Sequence, residues 1–511
     1  MSVAAVEAVA PAREWSGARA DAIVALATAL PIAALLLAEW RIAGAPGFPL
    51  DDSWIHLQFA RNLAEGAGFS YNPGVPVAGS TAPLWTLLLA AVATVAGTGL
   101  AATLIATKIL GVTLTIATAL VTRRAARAWG ISPAVALTIA VALTWAGPVA
   151  WGALSGMEVP LAALLVALAL LAHARDRTWP AGIAIALAPL ARPEALVLLV
   201  LLALARPLTM RRLAAFALPA VVALAPAIAF SVATVGAPVP ATAAAKVSGG
   251  LPGILRGDGE PLRTALAGRP WEYLRNWVAW LALGSNWLLP AAVPGIAVAW
   301  ARHGRALGVP ALALVLQPLA MAVLAPYQPP SFQEGRYATH LLPLAFVVLG
   351  VVLDLALRAA PRRARGAALA LLCVAALPPL ATVATRYGWG VQNINAMQVH
   401  LGHWVNEHLP AHARLALNDI GAIAYLSRRP VLDLNGLVTP EVIPYRRQGD
   451  AATLRWLAEQ CPDYVILFPT WFPGLAARAD VLQPIYRVVL QHNVVAGGPE
   501  MVVYRVARCT V

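Results

Sequence analysis

Charged residues are scarce in this chain: only 12% of its 511 residues are Asp, Glu, Lys or Arg, while 60% are hydrophobic. So little polar surface cannot cover a water-soluble globule of this size, which excludes a soluble protein. A helix needs roughly 20 mostly apolar residues to cross a bilayer, and such runs recur from about position 20 to 385. The composition therefore predicts a polytopic membrane protein.

Cysteine is almost absent, and Cys373, Cys461 and Cys509 are widely spaced. Three scattered thiols exclude a disulfide framework and a cysteine metal cluster, although a bridge between Cys461 and Cys509 is left open. Before its first apolar run the chain also lacks the apolar core and small-residue cleavage site of a secretory signal. Residues 21–39 are therefore predicted to be a retained first span.

Acidic residues are few, 24 against 37 Lys and Arg, which gives a net charge of +13. Residues 386–511 hold 11 basic and 9 acidic residues, so most of the basic excess belongs to the apolar part. There it stands in short segments between apolar runs, an arrangement that marks cytoplasmic loops and excludes a nucleic-acid-binding surface. The segments contain Arg123, Arg124 and Arg127; Arg175 and Arg177; Arg206, Arg211 and Arg212; Arg302 and Arg305; and Arg358, Arg362, Arg363 and Arg365.

If these five basic segments face the cytoplasm, the parity of the crossings fixes the topology, and about eleven transmembrane helices satisfy it. They are predicted near 20–40, 103–122, 133–150, 159–172, 180–191, 194–205, 213–235, 284–301, 308–326, 338–357 and 366–385. The fifth and sixth form a broken hairpin around Arg192 and Glu194, which are predicted to pair locally. The external loops then lie at 41–102, 236–283 and 327–337, and the first of them contains helices at 53–65 and 83–96.

After residue 385 the pattern changes from apolar helices to alternating short helices and strands. Helices are predicted near 395–408 and 420–427, and strands near 414–418, 430–434, 463–468, 485–490 and 501–507. Parity places this small α/β domain on the extracytoplasmic side. The predicted organisation is a membrane module, residues 1–385, followed by an extracytoplasmic α/β domain, residues 386–511.

The first external loop carries the most specific motif. It begins Asp51-Asp52-Ser53-Trp54-Ile55-His56 and continues through Phe69-Ser70-Tyr71-Asn72-Pro73-Gly74 to Ser80-Thr81-Ala82-Pro83. With Ser155-Gly156-Met157-Glu158, Arg192-Pro193-Glu194, Gly335-Arg336-Tyr337 and Asp419-Ile420-Gly421-Ala422, it resembles the GT-C superfamily of membrane glycosyltransferases. The resemblance covers nearly the whole chain. It is strongest to the actinobacterial terminal arabinofuranosyltransferase branch and its unassigned bacterial relatives.

Two departures from that branch leave the sugar open. Gly-Tyr-Thr-Ser-Pro is usual where this chain has Gly79-Ser80-Thr81-Ala82-Pro83, and an aromatic residue is usual at His56. The resemblance implies a multi-pass protein of the bacterial cytoplasmic membrane that takes a sugar from a polyprenyl-phosphate carrier on the outer face. It also implies transfer to a hydroxyl of a cell-envelope glycan, lipid or protein, with inversion.

Asp51 and Asp52 are the candidate catalytic residues. Transfer to a hydroxyl needs a carboxylate that accepts the acceptor proton, and we expect at least one of the two to be this general base. The alternative role is capping of the helix that starts near Ser53. Adjacent carboxylates also bind divalent cations, but no further ligand is evident, so a metal at Asp51 and Asp52 is left open.

Arg336 is the candidate for the donor phosphate, because a guanidinium fits phosphate oxygens, and Lys246 is a second candidate. The alternative for Arg336 is interfacial anchoring. Glu158 is a candidate substrate-binding residue at the outer end of a span; the alternative is a favourable carboxylate in the first turn of a helix.

His56, Arg61 and His340 are further candidates for substrate contact. A lone histidine such as His340 is more often structural. On the first-loop helix, Gln58, Arg61 and Asn62 lie off the apolar face, so a solvated face is the preferred interpretation.

Two other functions compete with glycosyl transfer. A transporter or flippase of lipid-linked saccharides also needs apolar spans and a few external charges, but transporters are commonly built from repeated halves, and no internal repeat is evident. The third hypothesis is an inactive scaffold whose tail binds glycan. Sugar transfer from labelled polyprenyl-phosphate donors separates the three.

Overall fold

The structure is a computed structural model that describes residues 17–257 and 259–509. Most of the chain is helical, because alanine and leucine dominate the apolar runs and both are strong helix formers. The helices before the C-terminal sheet are Gly17–Ile42, Asp51–Ala64, Pro83–Ala96, Leu100–Ala128, Pro133–Trp145, Gly147–Leu154, Val159–Ala174, Thr178–Ala191, Leu196–Leu204, Met210–Val235, Ala241–Lys246, Gly250–Arg256, Arg269–Trp280, Ala292–His303, Arg305–Ala311, Ala313–Leu324, Phe332–Gly335, Leu342–Leu357, Arg362–Val374, Leu377–Ile394 and His400–His408.

Six helical segments of the described chain are long and apolar enough to cross a bilayer, and a pair bent by 57° makes a seventh if it is one span. The six are Gly17–Ile42, Leu100–Ala128, Met210–Val235, Arg305–Leu324, Phe332–Leu357 and Arg362–His408, and the bent pair is Pro133–Trp145 with Gly147–Leu154. A polytopic membrane protein is thus confirmed. The count of about eleven spans is not confirmed, because three of the predicted spans are apolar helices shorter than a span, Val159–Ala174, Thr178–Ala191 and Pro193–Leu204, and a fourth contains the 12-residue helix Ala292–His303. Pro83–Ala96, predicted to lie in the first external loop, is also a short apolar helix.

The last long helical segment differs from its prediction. It was expected to end at 385, but Leu377–Ile394 runs through that position, and Arg362–His408 is helical over 47 residues. The helical connection means that the C-terminal part is joined to the membrane part by a stiff element. The division at residue 386 stays a prediction.

The C-terminal part contains a five-stranded sheet of order β2-β1-β3-β5-β4. The strands are β1 (Leu415–Leu417), β2 (Val431–Asp433), β3 (Tyr464–Leu467), β4 (Leu482–Val489) and β5 (Glu500–Val506), with helices Gly421–Ser427, Ile443–Gln448, Asp450–Gln460 and Pro473–Ala476. β1 is parallel to β2 and β3, whereas β5 is antiparallel to β3 and β4. The predicted α/β pattern is confirmed, and a Cys461–Cys509 disulfide is present.

Both faces of the sheet are buried at the central strands β1 and β3. Leu415, Leu417 and Ile466 belong to one apolar cluster, and Ala416 and Val465 belong to another. Because successive side chains of a strand point to opposite faces, the alternation packs one face of the sheet toward the membrane part.

The helix Asp51–Ala64 is the layer between the two parts. Trp54 and Leu57 pack into the main core of the membrane part, whereas Ile55 and Phe59 pack into the core beneath the sheet. A helix buried on two faces has no solvated side. The expectation of a solvated face at Gln58, Arg61 and Asn62 is therefore wrong, and all three are buried.

Candidate active site between the membrane part and the sheet

A cavity of about 810 Å³ lies where the membrane part meets the C-terminal sheet. Its walls come from the start of the first-loop helix, from the second external segment and from the loops that follow β1 and β2. The charged side chains that line it are Asp51, Asp52, Lys246, Arg336, Asp419, Arg446 and Arg447. Four cations and three carboxyl groups therefore surround a space large enough for a sugar.

Asp52 lies between two cations. Its Oδ2 is 2.6 Å from Nη2 of Arg336 and 3.4 Å from Nζ of Lys246. Burial by itself raises the pKa of this carboxyl, but the charges of Lys246 and Arg336 outweigh burial and hold the pKa of Asp52 well below its usual range. The group is thus an ionised carboxylate at neutral pH and a weak base.

Only some of the hydrogen-bond donors of Arg336 have partners. Its side chain is 5% exposed, and Nη2 donates to Asp52 and, over 3.1 Å, to the hydroxyl of Tyr337. Within the described parts of the chain, Nε and Nη1 have no hydrogen-bond partner. Unpaired buried donors are costly, so two unpaired donor nitrogens in the guanidinium of a cavity-lining residue indicate a place for an oxyanion.

A strained turn sets the position of Arg336. The three residues before it have positive φ, 49° at Gln333, 56° at Glu334 and 75° at Gly335, and this conformation is unfavourable for residues other than glycine. An ion pair of 3.2 Å between Glu334 and Arg386 ties the turn to the long C-terminal helical segment. The turn places the guanidinium at the cavity wall, immediately before the apolar helix Leu342–Leu357.

Lys246 ends the short helix Ala241–Lys246 in the second external segment. Burial lowers its pKa, but the neighbouring charge of Asp52 more than compensates, so the pKa of Lys246 is raised and the group stays cationic. Its Nζ also lies 5.6 Å from the ring centre of Tyr327. Lys246 is the second cation that lines the cavity beside Asp52.

Asp51 caps a helix, but not its own. The first-loop helix begins at Asp51, and Leu50 before it makes no side-chain cap. The two oxygens of Asp51 instead accept the backbone N–H groups of Gly421 and Ala422 at 2.6 and 2.7 Å. A side chain at 421 would collide with Asp51, since a Cβ there lies 2.1 Å from the Asp51 carbonyl oxygen. Asp51 therefore joins the membrane part to the sheet domain.

Glu158 belongs to a neighbouring cluster that does not line the large cavity. Its Oε1 is 2.6 Å from Nη1 of Arg192, and its Oε2 is 3.4 Å from Nε2 of His56. Arg192 also makes the predicted pair with Glu194, at 2.9 Å. Nδ1 of His56 lies 3.4 Å from the hydroxyl groups of Ser80 and Thr86.

Two other predicted site residues lie away from the large cavity. Arg61 donates 2.7 Å to the carbonyl oxygen of Tyr425, and its guanidinium lies 4.3 Å from the centre of that ring. His340 contacts the side-chain oxygen of Gln317 at 3.0 Å. Their contacts join packed elements, and substrate contact by either residue stays a prediction.

The donor set does not fit a divalent cation. The oxygens of Asp51 accept N–H groups, and Asp52 is paired with two cations. Among residues 17–257 and 259–509, no group of three His, Cys, Asp or Glu side chains is arranged to hold a metal. We derive no step through a metal.

Sequence reasoning did not select Asp419, which lines the same cavity, as a site residue. The turn Asp419-Ile420-Gly421-Ala422 was recognised as a strand-to-helix connection. The signal that was available is its place after β1, because loops at the carboxyl ends of parallel strands commonly carry ligand sites.

Comparisons with known proteins identify the fold. Residues 392–504 match a family described as a domain of unknown function, DUF8728. No curated protein matches the chain in sequence. Among solved structures, ArnT from Cupriavidus metallidurans bound to undecaprenyl phosphate matches 96% of this chain over 99% of its own, at 15% identity and a TM-score of 0.56.

The oligosaccharyltransferase AglB from Archaeoglobus fulgidus, solved with an inhibitory peptide and a dolichol-phosphate, matches 90% of this chain over 70% of its own. Its identity is 12% and its TM-score 0.54. ArnT and AglB are GT-C glycosyltransferases, so the fold implied by the sequence motifs is confirmed. The likeness to the arabinofuranosyltransferase AftD from Mycobacteria, with a TM-score of 0.43, is too weak to carry an argument.

Proposed function

We propose that this protein is a glycosyltransferase that moves a sugar from a polyprenyl-phosphate carrier to a hydroxyl of a cell-envelope glycan, lipid or protein. The observation that carries the proposal is the buried guanidinium of Arg336, which lies beside the cavity and has two donor nitrogens, Nε and Nη1, without a partner among the described residues. A fold shared with ArnT and AglB supports it, since both were solved with a polyprenyl-type phosphate.

The charges of the cavity suit a phosphate. Two of its four cations, Lys246 and Arg336, lie against Asp52, and Arg446 and Arg447 also line the cavity. A departing phosphate gains negative charge as the bond to the sugar breaks, and preorganised cations stabilise that charge in the transition state. Arg336 and Lys246 are the groups placed for this task.

In this proposal the acceptor oxygen attacks the anomeric carbon while the bond from that carbon to the phosphate oxygen breaks. The electron pair of the broken bond leaves with the phosphate, and attack from the opposite face inverts the anomeric centre. The transition state has oxocarbenium character. Asp52, kept ionised by its two cations, is the carboxylate beside that developing positive charge. Its low pKa makes it a poor acceptor for the proton that the acceptor loses.

We also propose the orientation that the arginine segments indicate, with the C-terminal domain on the outer face of the bacterial cytoplasmic membrane. The cavity then opens where a lipid-linked sugar presents its phosphate. Eleven crossings require that the shorter apolar helices also span, which is part of the same proposal.

The test is transfer of labelled sugar from a panel of polyprenyl-phosphate sugars by the purified full-length protein. We expect transfer by the wild type and a loss of at least about 10²-fold for Asp52→Asn, the size seen when a preorganised charge at a transition state is removed. Asp480→Asn, an exposed change in the C-terminal domain, is the control. Movement of an intact carrier across the bilayer without sugar transfer would instead establish the transporter alternative.

A further inference from the structure

The loops at the carboxyl ends of the parallel strands β1 and β2 line one side of the cavity. Asn418 and Asp419 follow β1, and Asn435 follows β2; all three line the cavity that contains Asp52 and Arg336. Loops at the carboxyl ends of neighbouring parallel strands bring polar groups from separate segments to one place, which is why ligands bind there in α/β sheets. The carboxyl edge of the parallel strands thus faces the proposed donor site.

Asp419 is held from two sides and remains reachable from the cavity. Nε2 of Gln398, a fully buried side chain, donates 2.6 Å to Oδ2 of Asp419. On the other side lies Asp51, which lines the same cavity. Burial and the neighbouring charge of Asp419 raise the pKa of Asp51 well above its ordinary range, so one of the two carboxyl groups holds a proton. The pair resembles an acid dyad completed by the C-terminal domain.

A second observation, independent of the carboxyl groups, points to a ligand at this edge. Asn418 is 2% exposed, and its Oδ1 accepts the backbone N–H of Phe468 at 3.1 Å, which fixes the amide plane. Its Nδ2 has no partner among the described residues. Oε1 of Gln398 is likewise buried without one. An unpaired donor on a residue that lines the cavity beside Asp419 matches a hydroxyl oxygen of a ligand.

Trp471 lies on the same cavity and is 43% exposed. Its indole N–H donates 2.6 Å to the carbonyl oxygen of Gly497, which holds the ring in place. A fixed aromatic ring next to amide side chains presents an apolar surface and directional polar groups together. This combination suits a sugar ring better than a lipid tail.

We infer that Asp419, paired with Asp51, is the catalytic carboxylate that takes the proton from the acceptor hydroxyl, and that Asn418, Asn435 and Trp471 bind a saccharide acceptor. The inference rests on the proposed function and assigns its acceptor side to the C-terminal domain. The acceptor O–H bond breaks, its oxygen bonds to the anomeric carbon, and the proton moves to Asp419. The phosphate leaves with the electron pair of the broken bond, and Asp419 returns its proton to water in the cavity.

The acidity of Asp419 suits this task. Burial, with the charge of Asp52 adding to it, raises the pKa of Asp419 to about 6 against the opposing hydrogen bond from Gln398. Asp52, in contrast, has a pKa below its ordinary range. A base is most effective when its pKa lies near the working pH. The titratable and charged groups that face Asp419 are Asp51 and Asp52, Tyr71, Lys246, Arg336, Arg446 and Arg447.

The experiment uses full-length protein in detergent, the same labelled polyprenyl-phosphate sugars, and sodium azide as a nucleophile that needs no base. We expect Asp419→Asn to lose at least about 10²-fold in transfer to hydroxyl acceptors. It should keep wild-type affinity for undecaprenyl phosphate and form the glycosyl azide at or above the wild-type rate. Asp480→Asn in the same domain is the matched control.

Gln398→Leu is the second variant, for use if Asp419→Asn fails to fold. Loss of the hydrogen bond that favours the carboxylate should move the acid limb of kcat/KM to higher pH than in the wild type. Wild-type transfer by Asp419→Asn, or an unshifted limb in Gln398→Leu, would overturn the inference and leave the proposed function standing. Absence of both sugar transfer and undecaprenyl phosphate binding in the wild type would overturn both.

Discussion

Two buried arginines lie side by side in this protein and differ in what surrounds them. Arg192 and Arg336 are 3% and 5% exposed, and both contact Tyr337. All three nitrogens of Arg192 donate to Glu158 or Glu194, whereas Arg336 leaves Nε and Nη1 free beside the large cavity. All donor nitrogens of Arg192 are therefore paired, whereas two of those of Arg336 are not. This difference in hydrogen-bond partners separates a structural role for Arg192 from a binding role for Arg336.

The largest expected effect is a loss of stability in the cluster of Arg192, Glu158 and Glu194. Arg192→Gln leaves Glu158 buried without its arginine partner, with Nε2 of His56 3.4 Å from its Oε2. Loss of one partner of a buried ion pair costs about 3–5 kcal/mol of unfolding free energy. Thermal unfolding in detergent should show a clear fall in Tm. The double variant Arg192→Gln with Glu158→Gln should recover part of it, and an unchanged Tm in the single variant would contradict the comparison.

The next largest effect is on phosphate binding by the cluster of Arg336, Asp52 and Lys246. Arg336→Gln removes the free N–H groups and should lower the affinity for undecaprenyl phosphate by about 10²-fold, the equivalent of one or two charge-assisted hydrogen bonds. The Tm should change less than in Arg192→Gln, because Asp52 keeps Lys246 as a partner. Arg358→Gln, at the far end of the helix Leu342–Leu357, is the control. Equal affinities of Arg336→Gln and Arg192→Gln for undecaprenyl phosphate would remove the distinction between the clusters.

A smaller effect is expected at Lys246. Its ammonium is a single point charge without the planar fork of a guanidinium, and it lies 3.4 Å from Asp52, compared with 2.6 Å for Arg336. Lys246→Gln should reduce undecaprenyl phosphate affinity about tenfold. Titration at two salt concentrations measures this, and a loss greater than that in Arg336→Gln would reverse the proposed order of the two cations.

The smallest effect is expected for Asp51→Asn. Asparagine keeps one acceptor oxygen for the cap, but its NH2 group faces the second backbone N–H, so stability should fall by about 1 kcal/mol. The neutral carboxyl group of Asp51 lowers the pKa of Asp419, so its replacement should move the acid limb of kcat/KM to higher pH, with the rate above that limb retained. A loss of sugar transfer in Asp51→Asn as large as that in Asp419→Asn would identify Asp51, and not Asp419, as the general base.

Local chemistry explains what the sequence could predict. The strands of the C-terminal sheet and the two first-loop helices were placed within a few residues, because turn residues and periodicity specify them. The acidic pair and Arg336 were selected because charge is so scarce in this chain. The burial of Arg61 was missed because helical periodicity shows one apolar face, and this helix is covered on both sides by partners distant in sequence.

The division of roles between Asp51 and Asp52 also depends on distant residues. Nothing near Asp51 in the sequence shows that its oxygens accept N–H groups from Gly421 and Ala422, some 370 positions away. Asp419 was missed for the same reason, since only the fold brings it next to Asp51 and into the cavity of Arg336. The number of spans stays a prediction, because apolar composition does not reveal whether a short helix such as Thr178–Ala191 crosses the bilayer.

The most direct measurement is an experimental structure of the protein with undecaprenyl phosphate. We expect phosphate oxygens about 2.7–2.9 Å from Nε and Nη1 of Arg336, the usual length of a charge-assisted hydrogen bond, with Lys246 on the same phosphate. A phosphate bound elsewhere, with Arg336 still donating to Asp52 and Tyr337 alone, would contradict the proposed donor site.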